Sequence, residues 1–325
     1  MRAEAARAAN AILLDELAQD VRAGLGGPGQ KTIPSRYLYD DLGSVLFEAI
    51  GYLPEYGLTR ADERILRSHA DEIAAEFRGP VLVAELGSGS GKKTRWLLEE
   101  LGARRPVVYL PIDISAAALT RCEQELGRLE GVRVESIEAD YLTGLSLVAS
   151  RRRADERMLL LFLGSTIGNF EREDATEFIR EVRRRLRPGD GFLLGTDLVK
   201  PAPTLIAAYD DALGVTAAFN LNLLRRLNRD LDADFDMDRF VHEARWNAKE
   251  RRVEMHIEAR IAHSVRIPAI DLVARFRERE SIWTESSYKF EPDEPGRMAG
   301  KTGFLLRGQW LDTEWPFAES LLVAR

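Results

Sequence analysis

Apolar and polar positions fall into two regimes along the chain. From residue 61 to residue 198, short apolar runs alternate with longer amphipathic stretches. The apolar, β-branched run that opens VLVAELGSGSGKKTR at residue 81 predicts a strand, a glycine loop and the start of a helix. Residues 106–113, 132–140, 158–164 and 191–198 predict further strands, and residues 62–77, 116–129 and 174–186 predict helices. The run 158–164 is almost wholly apolar, as expected of a strand covered by helices on both faces. Strand and helix alternating over this length imply a doubly wound, mainly parallel sheet.

After residue 198 the rhythm changes. Residues 204–223 read as helix, and 240–246 and 252–265 alternate as antiparallel strands do. Residues 304–311 and 317–324 predict two strands that return to the first sheet. Before residue 61 lie a helical stretch (1–23), a glycine-rich break (24–29) and the segment 33–60. That segment holds Tyr37, Tyr39, Tyr52 and Tyr56, half of the eight tyrosines, which suit a pocket lining as well as core packing. The pattern therefore predicts an α/β domain from residues 61–198 and 286–325, and a second, smaller α+β lobe from residues 1–60 and 199–285.

Composition narrows the partners. The chain has 325 residues, of which 45% are apolar, enough for a sizeable core. With 46 basic and 53 acidic residues the net charge is -7, so there is no general pull toward phosphate and no nucleic-acid partner is expected. The basic stretches Arg151–Arg153 and Arg180–Arg187 read as a loop and a solvated helix face. The single cysteine, Cys122, lies between Arg121 and Glu123 and reads as a helix-surface residue. His69, His242, His256 and His263 show no zinc-ligand spacing, so no metal is expected. The first apolar run is too short for a leader and no run is long enough to span a membrane, so a cytoplasmic protein without a membrane partner is expected.

The candidate chemistry starts at the loop Gly87-Ser88-Gly89-Ser90-Gly91. A dinucleotide fold prefers a third glycine at position 92, which is Lys92 here. The spacing G-x-G-x-G suits S-adenosylmethionine instead. Asp113 ends the second predicted strand and can accept from two ribose hydroxyls; Asp140 ends the third, with Tyr141 beside it to flank an adenine ring. Either aspartate could equally cap the helix that follows. Loop and acids share the strand-end edge where open α/β sheets bind ligands.

The blocks YDDLGSVLFEAI, LPEY, ELGSGSGKKTR, FLGSTIGNF, LLGTDLVK, AYDDALGVTAAFN and WTESSYKF resemble the histidine-specific Nα-methyltransferases, from about residue 12 to the C-terminus. That family forms hercynine, the trimethylbetaine of histidine, in the first step of ergothioneine biosynthesis. The resemblance implies a class I methyltransferase (Rossmann-like) sheet with a substrate lobe, acting on L-histidine as a monomer with S-adenosyl-L-methionine as co-substrate. It places Gly87, Lys93, Asp113, Asp140 and Tyr141 around S-adenosylmethionine and Tyr39 near the reacting centre. Tyr56, Asn169 and Tyr209 match residues at the α-amino and carboxylate end of the substrate, and Met255, Glu285 and Ser287 those around the imidazole.

The side-chain chemistry is compatible. Asn169 can donate to a carboxylate and accept from an amine. Glu285 and Ser287 are two apart, so on a strand they share a face and can reach one ring. The chain departs from the family at Gly57 and Leu58, where tyrosine and proline are usual, and glycine is expected to loosen the backbone beside Tyr56. Ser286 replaces an aliphatic residue and His256 stands beside Met255. The competing readings are the same chemistry on tryptophan or tyrosine, which an apolar residue at 285 would favour; a nicotinamide-dependent oxidoreductase, which Lys92 disfavours; and a non-catalytic S-adenosylmethionine-binding protein, which would have lost Asn169, Tyr209 and Glu285.

Overall fold

The computed structural model describes the backbone of residues 2–325 and side chains from residue 14 onward. The chain forms two compact units: residues 57–200 with 288–325, and residues up to Tyr56 with 201–287. Residues 57–60 and 199–200 thus go with the larger unit and Ser286 and Ser287 with the smaller, a shift of a few residues from the boundaries that rhythm suggests.

The larger unit is built on a sheet of strands β1 (Val81–Leu86), β2 (Val107–Asp113), β3 (Val132–Val134), β4 (Arg157–Phe162), β5 (Gly191–Asp197), β6 (Phe304–Asp312) and β7 (Phe317–Ala324). A two-residue strand, Ile137–Glu138, also pairs with β2. The order is β3-β2-β1-β4-β5-β7-β6. Strands β1 to β5 are parallel, and β7 runs antiparallel to both β5 and β6. This is the doubly wound, mainly parallel sheet that the strand–helix rhythm predicts, with the reversed strand β7 inserted near one edge. Alternation along β1 explains why its sequence is apolar apart from Glu85: Leu82, Ala84 and Leu86 enter one core, Val81 and Val83 the other. Helices Tyr141–Arg151, Arg172–Arg185 and Glu294–Thr302 supply residues to the first core. Helices Leu58–Ala75, Arg95–Arg104 and Ala116–Leu126 supply the second.

Three readings are corrected here. The predicted strand 132–140 is two short pieces, and Asp140 lies beyond them as the N-cap of Tyr141–Arg151. Cys122 is buried, because its face of Ala116–Leu126 packs with Leu126 on the sheet and not toward water. Arg152 is buried in an ion pair with Asp190, so only its neighbours behave as a solvated loop.

In the smaller unit, four strands lie in the order Lys31–Thr32, Ser281–Tyr288, Arg252–Ala259, Phe240–Asn247. The first pair is parallel, Lys31 opposite Ile282, and the last antiparallel, Ala244 opposite Met255. The predicted helix 204–223 is broken into Ala202–Tyr209 and Val215–Leu231. The break is built by Asp211, whose carboxylate accepts from Val215 N (3.0 Å) and Thr216 N (2.7 Å), and by Gly214 at φ +73°. The predicted strand 252–265 also divides: His263–Ile267 leaves the sheet to pair with Leu272–Phe276 as a separate hairpin.

Candidate functional site

In the larger unit the glycine loop leaves the C-terminal end of β1. Gly87, Gly89 and Gly91 all have positive φ (+69°, +53° and +70°), the region that side chains other than glycine avoid. A Cβ on Gly91 would stand 2.6 Å from Leu126 and 2.8 Å from Cys122 Sγ, so this glycine lets helix Ala116–Leu126 pack close to the loop. Asp113, at the end of β2, anchors the loop: Oδ2 accepts from Gly89 N at 3.1 Å and Oδ1 from Ser115 N at 2.9 Å. Burial raises its carboxyl above the usual aspartate range against the pull of those N–H groups. The cap of the next helix is Ser115, not Asp113.

Asp140 does cap a helix. Its Oδ1 accepts from Leu142 N (3.1 Å) and Thr143 N (3.0 Å), and although burial pulls upward, these donors hold its carboxyl below the usual range. Tyr141 lies over the loop, where a Cβ on Gly87 would be 3.3 Å from its hydroxyl. Its ring meets Phe162 and Phe178 edge-on, and burial raises its phenol pKa. Lys93 donates to Asp62 at 2.5 Å. Asn169 is half-buried at the end of the turn Thr166–Asn169 after β4. That turn packs tightly, since a Cβ on Gly168 would be 2.8 Å from the Tyr288 carbonyl.

The donor set of this edge fits S-adenosylmethionine. A carboxylate suits its ribose hydroxyls, an ammonium suits its carboxylate, and loop glycines permit close backbone approach.

In the smaller unit the structure brings most of the other candidates together. Tyr39 donates to Glu285 Oε2 at 3.2 Å, and its ring is held edge-on by Phe47 and Phe219. Tyr209 and Ser287 share a hydrogen bond of 2.7 Å. Tyr56 meets the Tyr209 ring at 5.9 Å in a T-shaped contact. Met255 lies on the neighbouring strand, its carbonyl 3.0 Å from the Thr284 hydroxyl oxygen. One strand, Ser281–Tyr288, thus presents Glu285 and Ser287, each already paired with a tyrosine hydroxyl.

Residues that the sequence did not single out support these groups. Asn220 donates to His242 Nδ1 (2.9 Å), so Nε2 carries the proton that His242 donates to the Tyr209 carbonyl (2.7 Å). Thr284 donates to Asn220 Oδ1 (2.7 Å), which closes the chain, and burial lowers the His242 pKa in favour of this neutral form. His256 bonds Ser281 (3.0 Å) and stacks on Trp283; it serves the strand and adds nothing to the Met255 contact. Alternation on strands signalled Thr284, His242 and His256 as polar positions, and nothing local signalled Asn220, which lies on helix Val215–Leu231. Gly57 does not loosen its surroundings, because a Cβ there would lie 2.2 Å from the Trp315 ring packed on it.

Comparison with known proteins follows this geometry. Residues 17–324 match the family described as histidine-specific methyltransferase, SAM-dependent. The histidine N-alpha-methyltransferase of Mycolicibacterium smegmatis is 41% identical over 311 residues, 95% of each chain. That of Mycobacterium tuberculosis is 41% identical over 307 residues, 94% of each chain. A more distant relative, an L-tryptophan methyltransferase of Psilocybe serbica, is 26% identical over 317 residues, 88% of this chain and 86% of the other.

Proposed function

Because the chain belongs to the histidine-specific, S-adenosylmethionine-dependent methyltransferase family, we propose that it trimethylates the α-amino group of L-histidine to hercynine, the first step of ergothioneine biosynthesis. The observation that carries the substrate assignment is the pairing of Glu285 with Tyr39 and of Ser287 with Tyr209 on one strand. An ionised carboxylate accepts from an imidazole N–H, a serine hydroxyl can serve the other ring nitrogen, and Tyr209 beside it can donate to the substrate carboxylate. An indole or phenol ring has no second nitrogen to use such a pair.

In this reading Gly87, Lys93, Asp113, Asp140 and Tyr141 hold S-adenosylmethionine, which supplies the methyl group from its sulfonium. Tyr56, Asn169 and Tyr209 hold the amino-acid end of the substrate, and Met255, Glu285 and Ser287 the imidazole. The transfer is an in-line displacement: the nitrogen lone pair forms the C–N bond as the C–S bond breaks, so the amine must be neutral. Positioning and exclusion of water supply most of the rate. Tyr39 stands near the nitrogen, and water beside it takes the proton released from the ammonium. The rings of Tyr39 and Tyr56 favour the growing methylammonium. Holding the ring and carboxylate leaves the nitrogen able to turn between three transfers. The reading includes a monomer in the cytoplasm that uses no metal and no nucleic-acid or membrane partner.

The test is mass spectrometry of parallel reactions with S-adenosylmethionine and each of the twenty amino acids. Mono-, di- and trimethylated histidine, with the other amino acids untouched, is expected. Methylation of tryptophan or tyrosine in its place would overturn the pocket assignment, and the absence of any product would overturn the activity.

A further inference from the structure

Beneath the glycine loop the larger unit buries ionisable side chains that methyl transfer itself does not use. Asp62, from helix Leu58–Ala75, is fully buried. Its Oδ2 accepts from Lys93 Nζ at 2.5 Å and from Gly164 N at 2.8 Å. Glu319, from β7, is also fully buried. Neither oxygen of Glu319, nor Oδ1 of Asp62, has a hydrogen-bond donor from elsewhere among the described residues. Two ionised carboxylates facing each other without donors would be strongly disfavoured. One proton removes the conflict, with Glu319 as a neutral acid donating to Asp62. Burial, and then the Asp62 charge and hydrogen bond, raise the Glu319 carboxyl well above the usual range. Glu85, the third acid nearby, is occupied separately, its Oε2 accepting from Tyr109 (2.5 Å) and Thr94 (2.7 Å).

The backbone makes room for this arrangement at two strand ends. A Cβ on Gly164, beyond β4, would lie 2.9 Å from Lys93 Nζ. A Cβ on Gly195, in β5, would lie 2.7 Å from Glu319 Oε1. Lys93 keeps 23% of its side chain exposed, whereas its partner Asp62 has none.

S-adenosylmethionine carries one anionic group, the carboxylate of its methionine part. An ammonium paired with one carboxylate and one neutral acid still attracts that group, whereas a second ionised carboxylate beside it would repel it. We propose that Asp62, backed by Glu319 in its acid form, is a positioning residue that holds the Lys93 ammonium for the carboxylate of S-adenosylmethionine. The proposal rests on the reading of Lys93 as a residue of the S-adenosylmethionine site.

The experiment compares two probes by calorimetry: S-adenosylhomocysteine, which has the carboxylate, and 5′-methylthioadenosine, which lacks the amino-acid end. If the wild-type protein binds both equally, the reading of Lys93 fails and the proposal with it. Given a wild-type preference, Asp62→Asn is expected to weaken S-adenosylhomocysteine by about tenfold or more while 5′-methylthioadenosine stays within about twofold. Equal weakening of both, or of neither, would overturn the role of Asp62 and leave the site reading intact. Glu319→Gln keeps a donor toward Asp62 and is expected to retain the wild-type preference; loss of that preference would overturn the acid form of Glu319. Should Asp62→Asn not fold, Gly164→Ala displaces Lys93 Nζ from Asp62 directly. It is expected to erase the preference for the carboxylate-bearing probe, and an intact preference would overturn the proposal.

Discussion

Glu85 offers a measurement of how strongly the fold constrains its own buried charge. It is the penultimate residue of β1, in the interior, and both hydrogen bonds to it arrive at one oxygen, Oε2, from Tyr109 and Thr94. Burial pushes its carboxyl up to about 7, against the pull of those hydroxyls and of Lys93. A carboxyl raised in the folded state prefers its proton there, so folding is most favoured below the unfolded value of 4.5 and loses stability as pH rises to about 7. A shift of that size corresponds to about 3 kcal/mol, most of which is lost between pH 5 and 8. Glu85→Gln removes the titration while its amide oxygen can take the position of Oε2 and keep both hydroxyl donors. The assay is urea unfolding at 25 °C across that pH range on both proteins. The stability of the variant relative to wild type is expected to rise by roughly 2–3 kcal/mol from pH 5 to pH 8, with the denaturant slope unchanged. A difference that stays flat with pH, or that falls, would refute the reasoning, because it would mean that Glu85 is ionised in the folded protein at no cost.

Three further outcomes are expected. In the proposed reading Glu285→Gln removes the charged acceptor for an imidazole N–H, so KM for histidine should rise by roughly 10- to 100-fold while KM for S-adenosylmethionine stays nearly constant; steady-state kinetics in each substrate checks this. Tyr39→Phe keeps the ring contacts with Phe47 and Phe219 but loses the hydroxyl on Glu285, and should slow every methylation step by about tenfold; unchanged rates in a time course of the three products would remove the hydroxyl from the mechanism. Cys122 is buried and its thiol pushed up to about 12, so at pH 8 a maleimide should label it far more slowly in the native protein than in urea, as followed by intact mass.

The larger unit was legible in the chain because its physics is local. A parallel strand covered on both faces must be mainly apolar, and β1, β4 and β5 stand out for that reason. Three glycines in a row of alternate positions announce a loop with positive φ, and all three have it. The helix break at Asp211–Gly214 was less legible, because Leu205, Leu223 and the apolar residues between them continue one periodicity across it, and the cap is recognisable only once the amide groups it accepts are seen. Cys122 was misread for a related reason: its polar neighbours at 121 and 123 point elsewhere on the helix, and one residue's side of a helix depends on which face meets the sheet.

By itself, then, the sequence determined the strand–helix rhythm, the glycine loop, the strand spacing that puts Glu285 and Ser287 on one face, and the family. Pairing across long separations was decided by tertiary structure. Lys31 opposite Ile282, Asp62 under Lys93, and His242 supporting the Tyr209 carbonyl join residues whose own neighbours give no sign of the partner. The physical reason is that periodicity reports only whether a position faces an apolar interior, whereas the partner of a buried polar group is set by whichever donor or acceptor packing brings within hydrogen-bonding distance.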